Sequence, residues 1–154
     1  MVKTNAIRLI EQTKIPYSLH EYDPEITDGE KVAEALGEDP SCVFKTLVCE
    51  NQSKEHFVFV VPVNKELNLK LAAKASRSKS IALIHQKELL PLTGYVHGGC
   101  SPVGMKKRFP SFFDSSMERC SKVFVSAGKK GLQMEVDPKA LAAYCQAEFI
   151  SLCS

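Results

Sequence analysis

Between Ser41 and Val63 the chain carries SCVFKTLVCE and HFVFVVPV, two β-rich runs separated by the polar stretch NQSKE, and this pair limits the possible folds more than any other stretch. Runs of that kind around a short polar turn predict an antiparallel hairpin. In the first run the two-residue period of a strand puts Val43, Lys45, Leu47 and Cys49 on one face and Phe44, Thr46 and Val48 on the other. Both faces are apolar, so the strand must be covered on both sides, which predicts a central position. A lysine in the middle of such a strand needs a pocket, a carboxylate or a cavity mouth, because an isolated buried ammonium is costly. The bland alternative is that Lys45 lies near a strand end and reaches water along its stem. With a cleft beside it, Lys45 could fix a negatively charged or carbonyl-bearing substrate, and it is the first candidate site residue.

The remaining pattern interleaves helices with further strands. Ala6, Ile7, Leu9 and Ile10 predict a helix over 4–12, and Pro16 starts an extended stretch, PYSLHEY. TDGE at 27–30 is a Ser/Thr-x-x-Glu capping pattern that opens a second helix, stopped by Gly37. ELNLKLAAKAS at 66–76 reads as a basic amphipathic helix, IALIH as a strand and QKELLPL as a short helix. KVFVSAG and LQMEV form a second hairpin around GKKG; Asp137 caps a last helix with Pro138 in its first position, and EFISL is a final strand. Without a βαβ rhythm or repeat, the expectation is an α+β fold. It is a compact mixed, mostly antiparallel sheet or partly closed barrel with surrounding helices, formed by residues 1–154 as one domain.

Composition then excludes several classes. The 154 residues are 44% hydrophobic and 25% charged, enough to bury a core and unlike a disordered chain. No segment has the continuous apolar character of a signal peptide or a membrane span, so a cytoplasmic protein without a membrane partner is expected. Six cysteines, at 42, 49, 100, 120, 145 and 153, form no C-x-x-C pair, and a chain of this length without a leader is expected to keep them reduced. The four histidines are scattered singly, so neither a metal nor another cofactor is expected. Residues 1–55 hold 6 Lys/Arg against 11 Asp/Glu, whereas 65–130 hold 13 against 4. That asymmetry is the footprint of a phosphate-bearing partner, although a merely dipolar protein would also show it.

GGCSPVGMKK at 98–107 is the other conspicuous stretch. Gly99 and Gly104 have the separation of the two P-loop glycines, but Met105 stands where the phosphate-binding lysine belongs and Pro102 removes an N–H, so a nucleotide-hydrolysing loop is rejected. Glycines with a stiffening proline can instead present fixed N–H groups to a carbonyl or ester oxygen, although a plain surface turn has the same composition. Cys100 has no histidine placed by the sequence to activate it, and Ser101 and Ser126 lack a G-x-S-x-G elbow.

Taken together, VFKTLV at 43–48, TGYVHGGCSPVGMKKR at 93–108 and VFVSAGKKGLQMEVDP at 123–138 resemble the YbaK-type aminoacyl-tRNA deacylases, free-standing relatives of the editing domain inserted in bacterial prolyl-tRNA synthetases. The likeness runs over nearly the whole chain, with HEYDP at 20–24 also in the expected order. It implies a trans-editing enzyme that cleaves the ester joining a wrong amino acid, cysteine or alanine, to proline tRNA. It makes Lys45 the functional lysine, with Thr46 beside it, and assigns Gly98, Gly99, Ser101 and Pro102 to a loop around the aminoacyl group. Ser126 and Gly128 match a second loop and Tyr22 a tyrosine near the pocket. In cysteine-specific members the substrate's own thiol is thought to attack the ester. Lys106, Lys107, Arg108, Lys129 and Lys130 would hold the tRNA acceptor stem, acting alone or docked on prolyl-tRNA synthetase. Asp28 stands before Gly29 where cysteine-specific members carry an aromatic residue, which predicts an open pocket edge bearing a carboxylate. Two other readings remain at this point: a non-catalytic tRNA-binding or regulatory module on the same scaffold, and a hydrolase of small acyl esters.

Overall fold

The computed structural model describes residues 3–154. Helix α1 (Asn5–Glu11) begins at Thr4, whose hydroxyl accepts the Ile7 N–H, and buries Ala6, Ile7 and Ile10. Strand β1 (Tyr17–Glu21) follows, then α2 (Gly29–Leu36), which ends in a left-handed Gly37. After a 3₁₀ turn at Pro40–Cys42 comes the hairpin of β2 (Phe44–Asn51) and β3 (His56–Pro62), antiparallel and in the register Lys45 opposite Val61. Next are α3 (Leu69–Ala75), β4 (Ile81–Leu83) and α4 (Gln86–Thr93), then β5 (Ser111–Asp114). The hairpin β6 (Val123–Lys129) and β7 (Leu132–Val136), helix α5 (Pro138–Cys145) and β8 (Glu148–Ile150) complete the chain.

The strands divide into two sheets: a five-stranded one ordered β4-β2-β3-β5-β8 and a three-stranded antiparallel one ordered β1-β7-β6. The expected class holds, but no closed barrel forms. One isolated parallel bridge, Val43 with Phe124, joins the sheets. Strand β2 is flanked by β4 and β3 and is covered on both faces, as its composition requires. Phe44 and Val48 pack with α1, β6 and β7 in the larger core, while Cys49 and its neighbour Leu47 join Phe57, Phe59, Val61 and α3 in a second core. Strand β5, four residues paired in parallel with β3 and β8, has no sequence expectation behind it; SFFD is too short for a period to be read. No helix among the described residues is long and apolar enough to cross a membrane.

Three expectations need correction. Cys42 and Cys120 are joined in a disulfide, with Cα atoms 5.9 Å apart; 78 residues separate them in sequence, so only the packing of the 3₁₀ turn against the segment before β6 reveals the pair. Helix α2 is capped by Asp28 rather than Thr27: its carboxylate accepts the Lys31 N–H. Helix α3 starts three residues later than expected, because the Asn68 side chain accepts both the Lys70 and Leu71 N–H groups and so fixes the first turn there.

Candidate functional site

A cavity of about 170 Å³ lies where the first half of β2 meets the three-stranded sheet, α2 and the loop after α4. Strand β2 contributes Phe44 through Leu47, α2 contributes Gly29 and Val32, β6 contributes Ser126 and β7 contributes Gln133. Ser126 and Gln133 are register partners, so both side chains leave the same face of their sheet. Tyr22 reaches the cavity just beyond β1, held by its N–H on the Gly131 carbonyl at 2.9 Å. Gly98, Cys100 and His97 form the loop side.

Two polar atoms beside the cavity have no partner among the described residues. Among the described residues, Thr46 Oγ1 and Gln133 Oε1 are the buried side-chain oxygens without a hydrogen-bond partner, and both residues line this cavity. Leaving a buried polar atom unpaired costs about 1–3 kcal/mol, so these two oxygens, closed off from solvent beside the cavity, are a local cost of the fold. The Lys45 side chain is 28% exposed, and its ammonium lies 3.5 Å from Oε1 of Glu66, whose side chain is 94% exposed and is not part of the cavity lining. The N–H groups of Gly98 and Cys100 make no hydrogen bond among the described residues, whereas that of Gly99 donates to Val96. The arrangement therefore brings a lysine and two backbone N–H groups without partners among the described residues to the lining of one cavity.

It offers no activated nucleophile. Burial pushes the Cys100 thiol up to about 12, so it stays protonated near neutrality and is a poor attacking group. The Ser126 hydroxyl oxygen accepts from the Gly128 N–H, and fully buried Ser101 accepts from the Val103 N–H.

The glycine loop is divided between two places. Gly98 and Cys100 face the cavity, but Pro102 lines a second, smaller one of about 110 Å³ with Lys107, Arg108 and Tyr144. Gly99 serves packing: a Cβ there would lie 2.9 Å from the backbone of Lys129 and Lys130, so the turn between β6 and β7 can press against the loop only because the position is glycine. Gly128, at φ +104°, adjoins Thr4 and Tyr95 rather than the cavity. Of the five sequence-selected cations, Lys130 lies along Gly98 at the rim. Arg108 is tied to the Gln146 side chain and the Tyr144 carbonyl and sits over the Tyr144 ring, and Lys106 approaches the Pro91 carbonyl at 3.5 Å. Asp28, capping α2, borders a separate surface depression, so the expected carboxylate at the pocket edge is not from Asp28.

Thr27, Val32, Leu89 and Gln133 line the cavity without having been selected from the sequence. For Gln133 the signal was misleading. In LQMEV it alternates with Leu132, Met134 and Val136, as a solvent-facing residue would, yet it is 6% exposed because its face of the sheet is covered as well.

Residues 23–144 match the model of the aminoacyl-tRNA editing domain. The chain is 42% identical over 152 residues to the Enterococcus faecalis (strain ATCC 700802 / V583) protein named "Putative Cys-tRNA(Pro)/Cys-tRNA(Cys) deacylase EbsC", covering 97% of this chain and 93% of that one. It is 23% identical over 124 residues to YwhH of Bacillus subtilis (strain 168), with 80% and 78% covered. Its fold is similar to a crystal structure described as "a putative trans-editing enzyme for prolyl tRNA synthetase", with TM-score 0.88, 22% identity and 100% and 99% of the two chains covered.

Proposed function

We propose that this chain, which belongs to the aminoacyl-tRNA editing domain family, removes the amino acid from mischarged tRNA, with Cys-tRNA(Pro) as its substrate. The observation that carries the reading is the cavity itself: Lys45, Thr46, Ser126, Gln133 and the loop residues Gly98 and Cys100 line a space of about 170 Å³. A small aminoacyl group fits the roles. Its ester carbonyl meets Lys45 and the N–H groups of Gly98 and Cys100, while a small side chain is turned toward the Thr46 and Gln133 side of the cavity.

The missing nucleophile suits a substrate that carries its own. The cysteinyl sulfur, on losing its proton, attacks the ester carbonyl carbon; the bond from that carbon to the ribose oxygen breaks, and the ribose oxygen takes up a proton. The released cyclic thioester is then opened by water. The protein's part is to hold sulfur and carbonyl in reach of one another and to stabilise the oxyanion, which prearranged donors do best in a site that excludes water. Lys129 and Lys130, beside Gly98 and Gly99 at the rim, and Lys107, exposed on the far side of the loop, would meet acceptor-stem phosphates, a contribution that weakens as salt rises.

The test compares the protein with Lys45→Ala on labelled Cys-tRNA(Pro) and Ala-tRNA(Pro). Release of cysteine by the unaltered protein, lost in the variant while tRNA still binds, is expected. Binding without release by either protein would make the chain a tRNA-binding module.

A further inference from the structure

We propose that Glu66 receives the α-ammonium of the aminoacyl group and so makes the site selective for a free amine; this rests on the deacylase reading. The cavity lining includes Lys45 but no aspartate or glutamate. The carboxylate that meets Lys45 comes from Glu66, at 3.5 Å, and its side chain is almost wholly exposed. In an aminoacyl ester the α-nitrogen and the carbonyl oxygen are separated by two intervening carbons, about 3 Å apart. An ammonium and a carboxylate 3.5 Å apart are thus the complement of that pair: the lysine for the carbonyl oxygen, the glutamate for the substrate cation.

The backbone that carries Glu66 is fixed on both sides. Val63 donates to the Val43 carbonyl at 2.9 Å, Asn68 donates to the Leu152 carbonyl at 2.8 Å, and Leu67 packs on the second core. The backbone at Glu66 is therefore anchored on both sides, while its exposed side chain is free to turn from Lys45 to an incoming ligand. Among the other acidic residues next to lining positions in sequence, Asp28 caps α2, Glu30 borders the separate depression beside it and Asp23 accepts the Glu25 N–H; none of these, nor Glu25, lines the cavity. Gln133 and Thr46 are neutral acceptors deeper in the cavity.

The experiment measures kcat/KM on Cys-tRNA(Pro) and on its N-acetyl form, for the unaltered protein, Glu66→Gln and Glu66→Asp. The unaltered protein should favour the free amine, and Glu66→Gln should shrink that preference by about two- to five-fold, the range for an exposed charge pair. The loss should fall chiefly on KM, with Glu66→Asp restoring part of it. The N-acetyl substrate carries the same phosphates, so a change common to both forms reports only altered attraction to tRNA. An unchanged preference in Glu66→Gln overturns the proposal, as does a preference abolished by Gln133→Leu but not by Glu66→Gln. Binding of an amide-linked 3′-cysteinylamino-adenosine, with its amine free or acetylated, gives the same ratio without turnover. If the unaltered protein hydrolyses neither tRNA, the deacylase reading fails, while that ratio still decides the role of Glu66.

Discussion

The interior of the cavity and the ring of cations outside it are built on opposite terms. Inside, Thr46 and Gln133 hold buried oxygens that the protein leaves unpaired, and the walls are fixed by strand pairing and by the close approach of Gly99 to the Lys129–Lys130 backbone. Outside, the charges are exposed, and two of them, Lys106 and Arg108, reach acceptors on their own chain. Water already solvates the outer groups, so a ligand gains little from each; a change inside instead disturbs a close-packed wall. Function should therefore depend steeply on single interior positions and only gradually on the rim.

That contrast breaks down if interior changes prove mild. The largest stability effect should come from the cross-link behind the wall. Replacing Cys42 and Cys120 by serine, or reducing their disulfide, releases a loop of 78 residues and should lower unfolding stability by about 4 kcal/mol on the chain-entropy estimate, read from denaturant midpoints with and without reductant. Lys45→Ala should lower kcat for deacylation by about 10²–10³, the usual effect of losing one donor to an oxyanion, with a near-native circular dichroism spectrum. Gly99→Ala forces a Cβ against backbone that cannot turn aside, so a loss of about 1–3 kcal/mol is expected, visible as a lower melting temperature.

Thr46→Val sharpens the comparison because its two effects have opposite signs. It removes an unpaired buried hydroxyl, so thermal stability should hold or rise, while kcat/KM on Cys-tRNA(Pro) falls by about ten-fold, the worth of one net hydrogen bond. A fall in both would mean that the hydroxyl is bonded within the protein. The smallest effects belong to the rim. Lys129→Gln with Lys130→Gln should weaken tRNA binding a few-fold and flatten its salt dependence by about two counterions, more than Lys106→Gln with Arg108→Gln, whose groups are already engaged. Binding titrations across a salt series measure both.

The central hairpin was legible in the sequence because a strand apolar on both faces admits one environment, and the cap at Asp137 was legible because capping is decided within a few residues. The boundary of α2 was off by one residue, since Thr27 and Asp28 can each cap and only the surroundings choose. Position 133 was unreadable for a different reason: alternation tells which residues share a face, not whether that face is covered.

Local chemistry, written in the order of residues, determined the strands, most turns, the lysine in the greasy strand and the family to which the chain belongs. Tertiary structure decided which side of the glycine loop faces the cavity, that Cys42 meets Cys120, that Gln133 is buried without a partner and that Glu66 stands over Lys45. Each of these is a meeting of segments far apart in the chain or the covering of a face, and both are set by packing between elements rather than by the preferences of any one of them.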